Sequence, residues 1–277
     1  MAGHARPEAR LLLTIDVGNR QTSLAAWPLR PADDEAPEPA AHWQVGTHPG
    51  HTADEHRLLM GQLLSEAGLR AADVGAVAVA CVVPGIARAL GGACRALFGV
   101  EALFVGPGLR SGMPIRTENP PELGPDRLAN AVAALARYGA PVIVLDFATA
   151  LTLDLVDGQG RYQGAFIAPG IEVAAAALAE RTARLGPVAL APPKRAIGAD
   201  TESGLRSGLV YGYVGLIDGL LEAAQEAIDG RAAVVATGDL AAAEPLLAEM
   251  AVRPVADPWL TARGLRLLHR RNQPDPA

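Results

Sequence analysis

LLLTIDVGNRQTSLAAW (residues 11–27) and VIVLDFATALTLDLVD (residues 142–157) are two versions of one stretch. Aligned on Asp16 and Asp146, each runs from apolar residues into an Asp, then a bulky apolar residue and a small one, Gly18 or Ala148. A short polar residue follows (Asn19, Thr149), and a Thr stands six places after each Asp, at Thr22 and Thr152. Apolar run, Asp, turn-forming residues and a second β-rich run predict a β-hairpin with a carboxylate at its tip. Two such tips predict a duplicated domain in which an Asp from each half faces a common cleft.

The remaining chain supplies the helices and strands of an α/β protein. A third strand is expected near His42–Thr47, after a Pro- and acid-rich loop, PLRPADDEAPEPA. Helical spacing marks 54–68, closing at Gly68, and about 86–98; strands are expected at 74–83 and 101–105. NPPELGPDRLANAVAALARYG (119–139) reads as a helix with Pro125 in its first turn, Asp126 at the positive end of its dipole and Gly139 at its finish. After the second hairpin come GRYQGAFIAPG, an Ala-rich helix at 171–184, and a Pro-rich loop. One or two helices are expected over 201–228, where glycines 204, 208, 212, 215 and 219 are read as allowing close backbone packing. A strand, Gly turn and helix over 232–250, and a last helix near 258–271, complete the pattern.

Composition narrows the function. The 277 residues are half apolar and 19% charged, enough for about two small domains with an ample core. A formal net charge of −6 argues against non-specific nucleic-acid binding, which needs basic surface. Cys81 and Cys94 form neither a disulfide framework nor a metal spacing, so a reducing cytoplasm is expected. No apolar run of membrane-spanning length appears, and no membrane association is expected. His51 and His56 lie five apart and off a common helix face, so no metal site is read into the histidines of 42–56.

Acidic tips beside Gly, Asn and Thr suit nucleoside-triphosphate chemistry. Small residues let backbone N–H groups approach phosphates, and carboxylates hold a hard cation directly or through water. A strand-end Asp that only shapes its turn is the plain alternative for Asp16 alone; the second copy at Asp146 favours the functional reading. Asp126 likewise has two readings, helix-end stabiliser or acceptor of a hydroxyl proton, and Arg127 two, surface charge or anchor for a carboxylate or phosphate. Phosphoryl transfer asks such an acceptor for position above all. Thr201 reads more readily as a helix N-cap than as a ligand, and TGDLA (237–241) equally as a nucleotide contact or a βα turn.

Two nucleotide architectures drop out. GPGLRSGMP (106–114) has its glycines spaced GxGxxxG, and Pro114 denies it the helix that a dinucleotide loop requires. P-loop enzymes and protein kinases both set a Lys on the phosphates, whereas Lys194, the one Lys here, follows two prolines in a loop.

Seven stretches, in order, resemble the motifs of type III pantothenate kinases: DVGNR (16–20), NPPELGPDR (119–127), DFATALT (146–152), GAFIAPG (164–170), IGADT (197–201), SGLVYGYVGLIDG (207–219) and TGDLA (237–241). The resemblance implies two RNase H-like domains in tandem, residues 1–118 and 119–277, in the architecture of actin and Hsp70 ATPases. It implies a cytoplasmic homodimer that transfers the γ-phosphate of ATP to pantothenate, the first step toward coenzyme A. Asp16, Gly18 and Asn19 would line the ATP phosphates and their Mg²⁺, within an ATP-binding stretch that also holds Val17, Arg20, Gln21, Thr22 and Ser23. Thr149 would contact ATP, and Asp146 would hold a monovalent cation, K⁺ or NH₄⁺. Gly124, Pro125, Asp126 and Arg127 would bind pantothenate with Thr201, and Asp126 would be the catalytic base. Four positions depart from the family pattern, all in ATP-side motifs: Arg20 for Thr, Ala148 for Gly, Leu151 for Thr and Asp239 for Gly. The alternatives are a catalytically impaired regulatory or accessory relative, or a phosphohydrolase of the same superfamily.

Overall fold

The hairpins form because each apolar run alternates over two covered faces and breaks at residues suited to a turn. In the computed structural model, β1 (Leu11–Val17) pairs antiparallel with β2 (Gln21–Pro28), and β6 (Val142–Phe147) with β7 (Ala150–Val156). The structure describes residues 10–29, 38–182, 186–228 and 230–273. The N-terminal segment to residue 9, most of the acid-rich loop (30–37), the expected end of the Ala-rich helix (183–184) and the tail beyond 273 lie outside the described residues.

The described chain divides into two compact units, one within 1–112, 121–132 and 261–277, the other within 113–120 and 133–260. In the first, β3 (Ala41–Gly46) extends the meander, and β4 (Val74–Cys81) and β5 (Ala102–Phe104) add in parallel, giving the order β3-β2-β1-β4-β5. The second repeats this order. With β8 (Tyr162–Pro169), β9 (Ala233–Gly238) and β10 (Val255–Ala256) it reads β8-β7-β6-β9-β10, again three antiparallel strands followed by two parallel ones. The duplication seen in two short stretches is thus a duplication of whole sheets.

In the first unit α1 (Ala53–Glu66) and α2 (Ile86–Phe98) pack on one sheet face, burying Leu13, Ile15, Val17 and Leu24 with Met60, Leu64, Ile86 and Leu90. Thr52 starts α1 through a capping box with Glu55. Trp27, on the other face, is fully buried beneath the Arg266 guanidinium of α7 (Leu260–Arg271) and donates to Thr14 Oγ1 at 3.0 Å. In the second unit α4 (Ile171–Arg181), α5 (Thr201–Ala227) and α6 (Leu240–Glu249) cover the face carrying Ile143, Leu145, Phe147, Leu151 and Leu153.

Three details differ from the sequence reading. β8 was not expected as a strand, since Gly164 and Pro169 punctuate it; it is a sheet edge with a register irregularity opposite Leu155/Val156, where such residues are tolerated. α5 is one 27-residue helix, and a methyl added at any of glycines 204, 208, 212, 215 or 219 would meet nothing within 4 Å. Among the described residues the close approach along α5 is at Gly204, whose backbone leaves no room for a Cβ on Gly198. Helix α3 (Pro125–Tyr138) starts at Pro125, and 119–124 before it is a loop with a short 3-10 turn.

Candidate active site

The two hairpins turn differently, and that sorts their side chains. At the first tip Val17 faces Thr22 and Asp16 faces Ser23; at the second Phe147 faces Leu151 and Asp146 faces Thr152. The first loop is longer, and one residue of register moves a side chain to the opposite face. The equal offset of Thr22 and Thr152 is therefore misleading. Thr152 shares the face of Asp146, whereas on the first sheet Ser23 holds that place beside Asp16. Thr22 lies on the α1–α2 side with Ile15, Val17 and Leu24, its hydroxyl 2.8 Å from that of Thr47.

Asp16 is half-buried at the end of β1, and Asn19, Arg20, Gln21 and Ser23 are exposed around the turn. Gly18 closes the turn, its N–H donating to the Gln21 carbonyl at 3.0 Å. A Cβ there would stand 3.0 Å from that same oxygen, so the tight return favours glycine. The tip presents small side chains, backbone amides, one carboxylate and one guanidinium to solvent.

Asp126 stands in the first turn of α3, in the same unit. Pro125 opens the helix and Leu128 N–H closes its first turn on the Gly124 carbonyl at 2.9 Å. Asp126 Oδ1 is buried with no hydrogen-bond partner among the described residues, and a Cβ on Gly124 would come 2.5 Å from it. Gly124 thus leaves room for a carboxylate held beside the helix start with an acceptor oxygen in reserve. Arg127 follows it, half-buried.

In the second unit Asp146 shares its sheet face with Thr152 and Asp154. Thr152 donates to Asp154 Oδ2 at 3.1 Å, and the buried Tyr162 hydroxyl donates to Asp154 Oδ1 at 2.5 Å. Gly238 ends β9 with φ of +85°, so close that a Cβ would overlap both the Asp146 carboxylate and the Phe147 carbonyl. Gly170 is packed as tightly against the Ala148 and Thr149 carbonyls, and its N–H donates to Thr149 O at 3.0 Å. Glycine at 170 and 238 therefore lets two backbone segments close on the β6–β7 tip.

Two of the four family departures are absorbed by structure. Leu151 is buried in the α4–α6 core, on the opposite face from Asp146. Asp239 is the N-cap of α6, accepting from Ala242 N–H at 3.0 Å. Arg20 and Ala148 remain exposed at the two tips. Thr201 is exposed at the first position of α5, and the cap role read for it belongs to Asp200, which accepts from Ser203 N–H at 2.8 Å. Thr47 and Gly238 escaped the sequence reading as site-shaping residues; Gly238 carried a signal in TGDLA, Thr47 none beyond its place after a strand.

Among the described residues no three His, Cys, Asp or Glu converge as metal ligands, and no helix is long and apolar enough to cross a membrane. His48 and His51, after β3, and His56, in the first turn of α1, do come into ring contact, with centroids 4.6 and 5.5 Å apart along the series.

Similarity to other proteins follows the same lines. Two solved structures share the fold at low identity. One is a protein from Sinorhizobium meliloti described as a 2-dehydro-3-deoxygalactonokinase (14% identical, TM-score 0.59, 96% of this chain and 98% of that one). The other, from Campylobacter jejuni, is described as a Baf family transcriptional activator (17%, TM-score 0.58, 94% and 98%). Relatives at higher identity include type III pantothenate kinase 2 of Symbiobacterium thermophilum, 42% identical over 266 residues, spanning 95% of this chain and 97% of that one. The type III pantothenate kinase of Anaeromyxobacter dehalogenans strain 2CP-C is 42% identical over 265 residues, 95% of this chain and 100% of its own. The type III pantothenate kinase family model matches residues 12–223. With the α3 start intact and two of the four departures taken up by core and cap, the chain belongs to the type III pantothenate kinase family.

Proposed function

We propose that this protein phosphorylates pantothenate at the expense of ATP, yielding 4′-phosphopantothenate on the way to coenzyme A. The observation that carries the reading is the α3 start: Gly124 keeps space for the Asp126 carboxylate, and Asp126 Oδ1 is a buried acceptor without a donor among the described residues. A substrate hydroxyl is a donor suited to it. As that hydroxyl oxygen bonds to the γ-phosphorus and the β–γ bridging oxygen departs with ADP, the hydroxyl proton passes to Asp126. Arg127 pairs with the pantothenate carboxylate, and the exposed hydroxyl of Thr201 is assigned to the same substrate.

The hairpin tip from Asp16 to Ser23 takes the ATP phosphates on its amides and on Asn19, with Arg20 adding positive charge and Thr149 a further contact. The residues fit the cations this chemistry uses. Mg²⁺ that travels on a triphosphate needs only one or two protein carboxylates, and Asp16 is one. A monovalent cation suits hard oxygens such as the Asp146 carboxylate. Those cations supply charge neutralisation, while this chain's part is to orient the two substrates and receive the proton. The reading extends to two RNase H-like domains of the actin and Hsp70 superfamily, divided near residue 118, and to a cytoplasmic homodimer; family likeness supports these. A net charge of −6 supports a small-molecule substrate over nucleic acid.

The test is ATP consumption with and without pantothenate, and with K⁺ replaced by Na⁺. Turnover is expected to need both pantothenate and K⁺. ATP hydrolysis indifferent to pantothenate and to Arg127→Ala marks a phosphohydrolase; nucleotide binding without turnover marks an accessory relative. Light scattering of the purified protein checks the dimer.

A further inference from the structure

We propose that Thr47 is a positioning residue for the triphosphate-binding hairpin, acting through Arg20 and Thr22. This rests on the reading above, in which that hairpin takes the phosphates of ATP. Thr47 immediately follows β3, and its main-chain N–H donates to the Arg20 carbonyl at 2.9 Å. Its hydroxyl meets that of Thr22 at 2.8 Å, partly buried. One residue along, Gln44 Nε2 donates to Gln21 Oε1 at 2.6 Å. Three consecutive tip residues, 20 to 22, are each held from the β3 side.

Thr22 explains why the hold matters. It faces the α1–α2 side among Ile15, Val17, Leu24 and Met60, and a hydroxyl set among apolar groups is costly without a partner. Thr47 is that partner. The same contact fixes how far the chain may swing between Val17 and Thr22, the span that carries Gly18 and Asn19. On the β1 side this span is closed by the ladder pair Val17–Thr22 and by the Gly18 N–H to Gln21 carbonyl bond, and on the other side residues 20 to 22 are held from β3. A preorganised anion cradle loses affinity when its amides are free to reorient, because binding must then order them.

Thr47→Val keeps the side-chain volume and the main-chain N–H and removes only the hydroxyl; Thr47→Ser keeps the hydroxyl. The KM for ATP is expected to rise about three- to tenfold in Thr47→Val, the loss of one hydrogen bond, with kcat and the KM for pantothenate within about twofold. Thr47→Ser restores the wild-type KM. In the absence of nucleotide, amide hydrogen exchange over residues 18–22 accelerates in Thr47→Val while that of β1 and β4 does not. If Thr47→Val does not fold, Thr47→Ala set against Thr47→Ser makes the same comparison. Unchanged exchange at 18–22 together with an unchanged KM for ATP overturns the assignment of Thr47 and leaves the kinase reading intact. Wild-type protein that consumes no ATP overturns the kinase reading, and the exchange measurement still decides whether Thr47 holds the turn.

Discussion

Gly238 lies against the carboxylate of Asp146, with its φ of +85° and with no room for a β-carbon between that carboxylate and the Phe147 carbonyl. β9 therefore ends where it does because the β6–β7 tip occupies the space a side chain would need. Asp239 N–H, next in sequence, donates to the same Phe147 carbonyl at 2.7 Å. Gly238→Ala is expected to destabilise the protein by at least about 2 kcal/mol, combining left-handed backbone strain with overpacking. It should abolish K⁺-dependent turnover by displacing Asp146. Urea unfolding together with the ATP-consumption assay checks both; a variant as stable and as active as wild type would show that the tip yields freely.

Asp126 gives a different signature. Its Oδ1 is buried and without a donor among the described residues, an arrangement that costs stability in the free protein and, on the proposed reading, would serve the substrate hydroxyl. Asp126→Asn keeps the shape and supplies an amide, so its melting temperature should equal or exceed that of wild type while kcat falls at least about tenfold. Gly124→Ala should lower kcat similarly with Asp126 still present, since the new methyl must push the carboxylate from its place. A wild-type kcat in Asp126→Asn would remove Asp126 as proton acceptor.

How much of this was legible beforehand depends on what sets each feature. The hairpins, α2 and the duplication were visible because periodicity and turn residues are local, and the family motifs pointed to Asp126 and Asp146. Register was not visible: Thr22 and Thr152 share an offset from their aspartates, yet the turn between β1 and β2 is longer and puts Thr22 on the core side. The edge strand β8 was hidden by Gly164 and Pro169, which a sheet edge tolerates. The contacts of Thr47 with the first tip and of Gly238 with Asp146 join distant parts of the chain, and no local pattern announces them.

Asp239 replaces a glycine of the family pattern, and its carboxylate caps α6 through Ala242 N–H. Asparagine caps as well as aspartate and carries no charge, so Asp239→Asn should leave stability within about 0.5 kcal/mol, whereas Asp239→Ala should cost about 1 kcal/mol. A partly exposed charge contributes at most about 1 kcal/mol to a neighbour, so Asp239→Asn should change the KM for ATP by no more than about fivefold. A larger fall in KM would show that Asp239 opposes the nucleotide directly.

Two histidines are expected to shape the acid side of the stability profile. Burial lowers the pKa of His56 from the ordinary 6.5, with the neighbouring His51 adding to the effect and Glu55 opposing it. Burial alone lowers that of His269. A base whose folded-state pKa lies below its unfolded one takes up more protons on unfolding. Stability is therefore complete above the unfolded value near 6.5 and is lost as pH falls toward the folded values. Asp157 lies outside this window. Asp157 is held at about 2, burial tending to raise it but outweighed by bonds from Arg161, Gln159 and Gln163, and its contribution goes only below the ordinary 3.8. The melting temperature should accordingly fall between pH 7.5 and 5.5. His56→Leu should flatten part of that slope, and adding His269→Leu should flatten most of the rest. A slope unaltered in the double variant would place the titrating groups elsewhere.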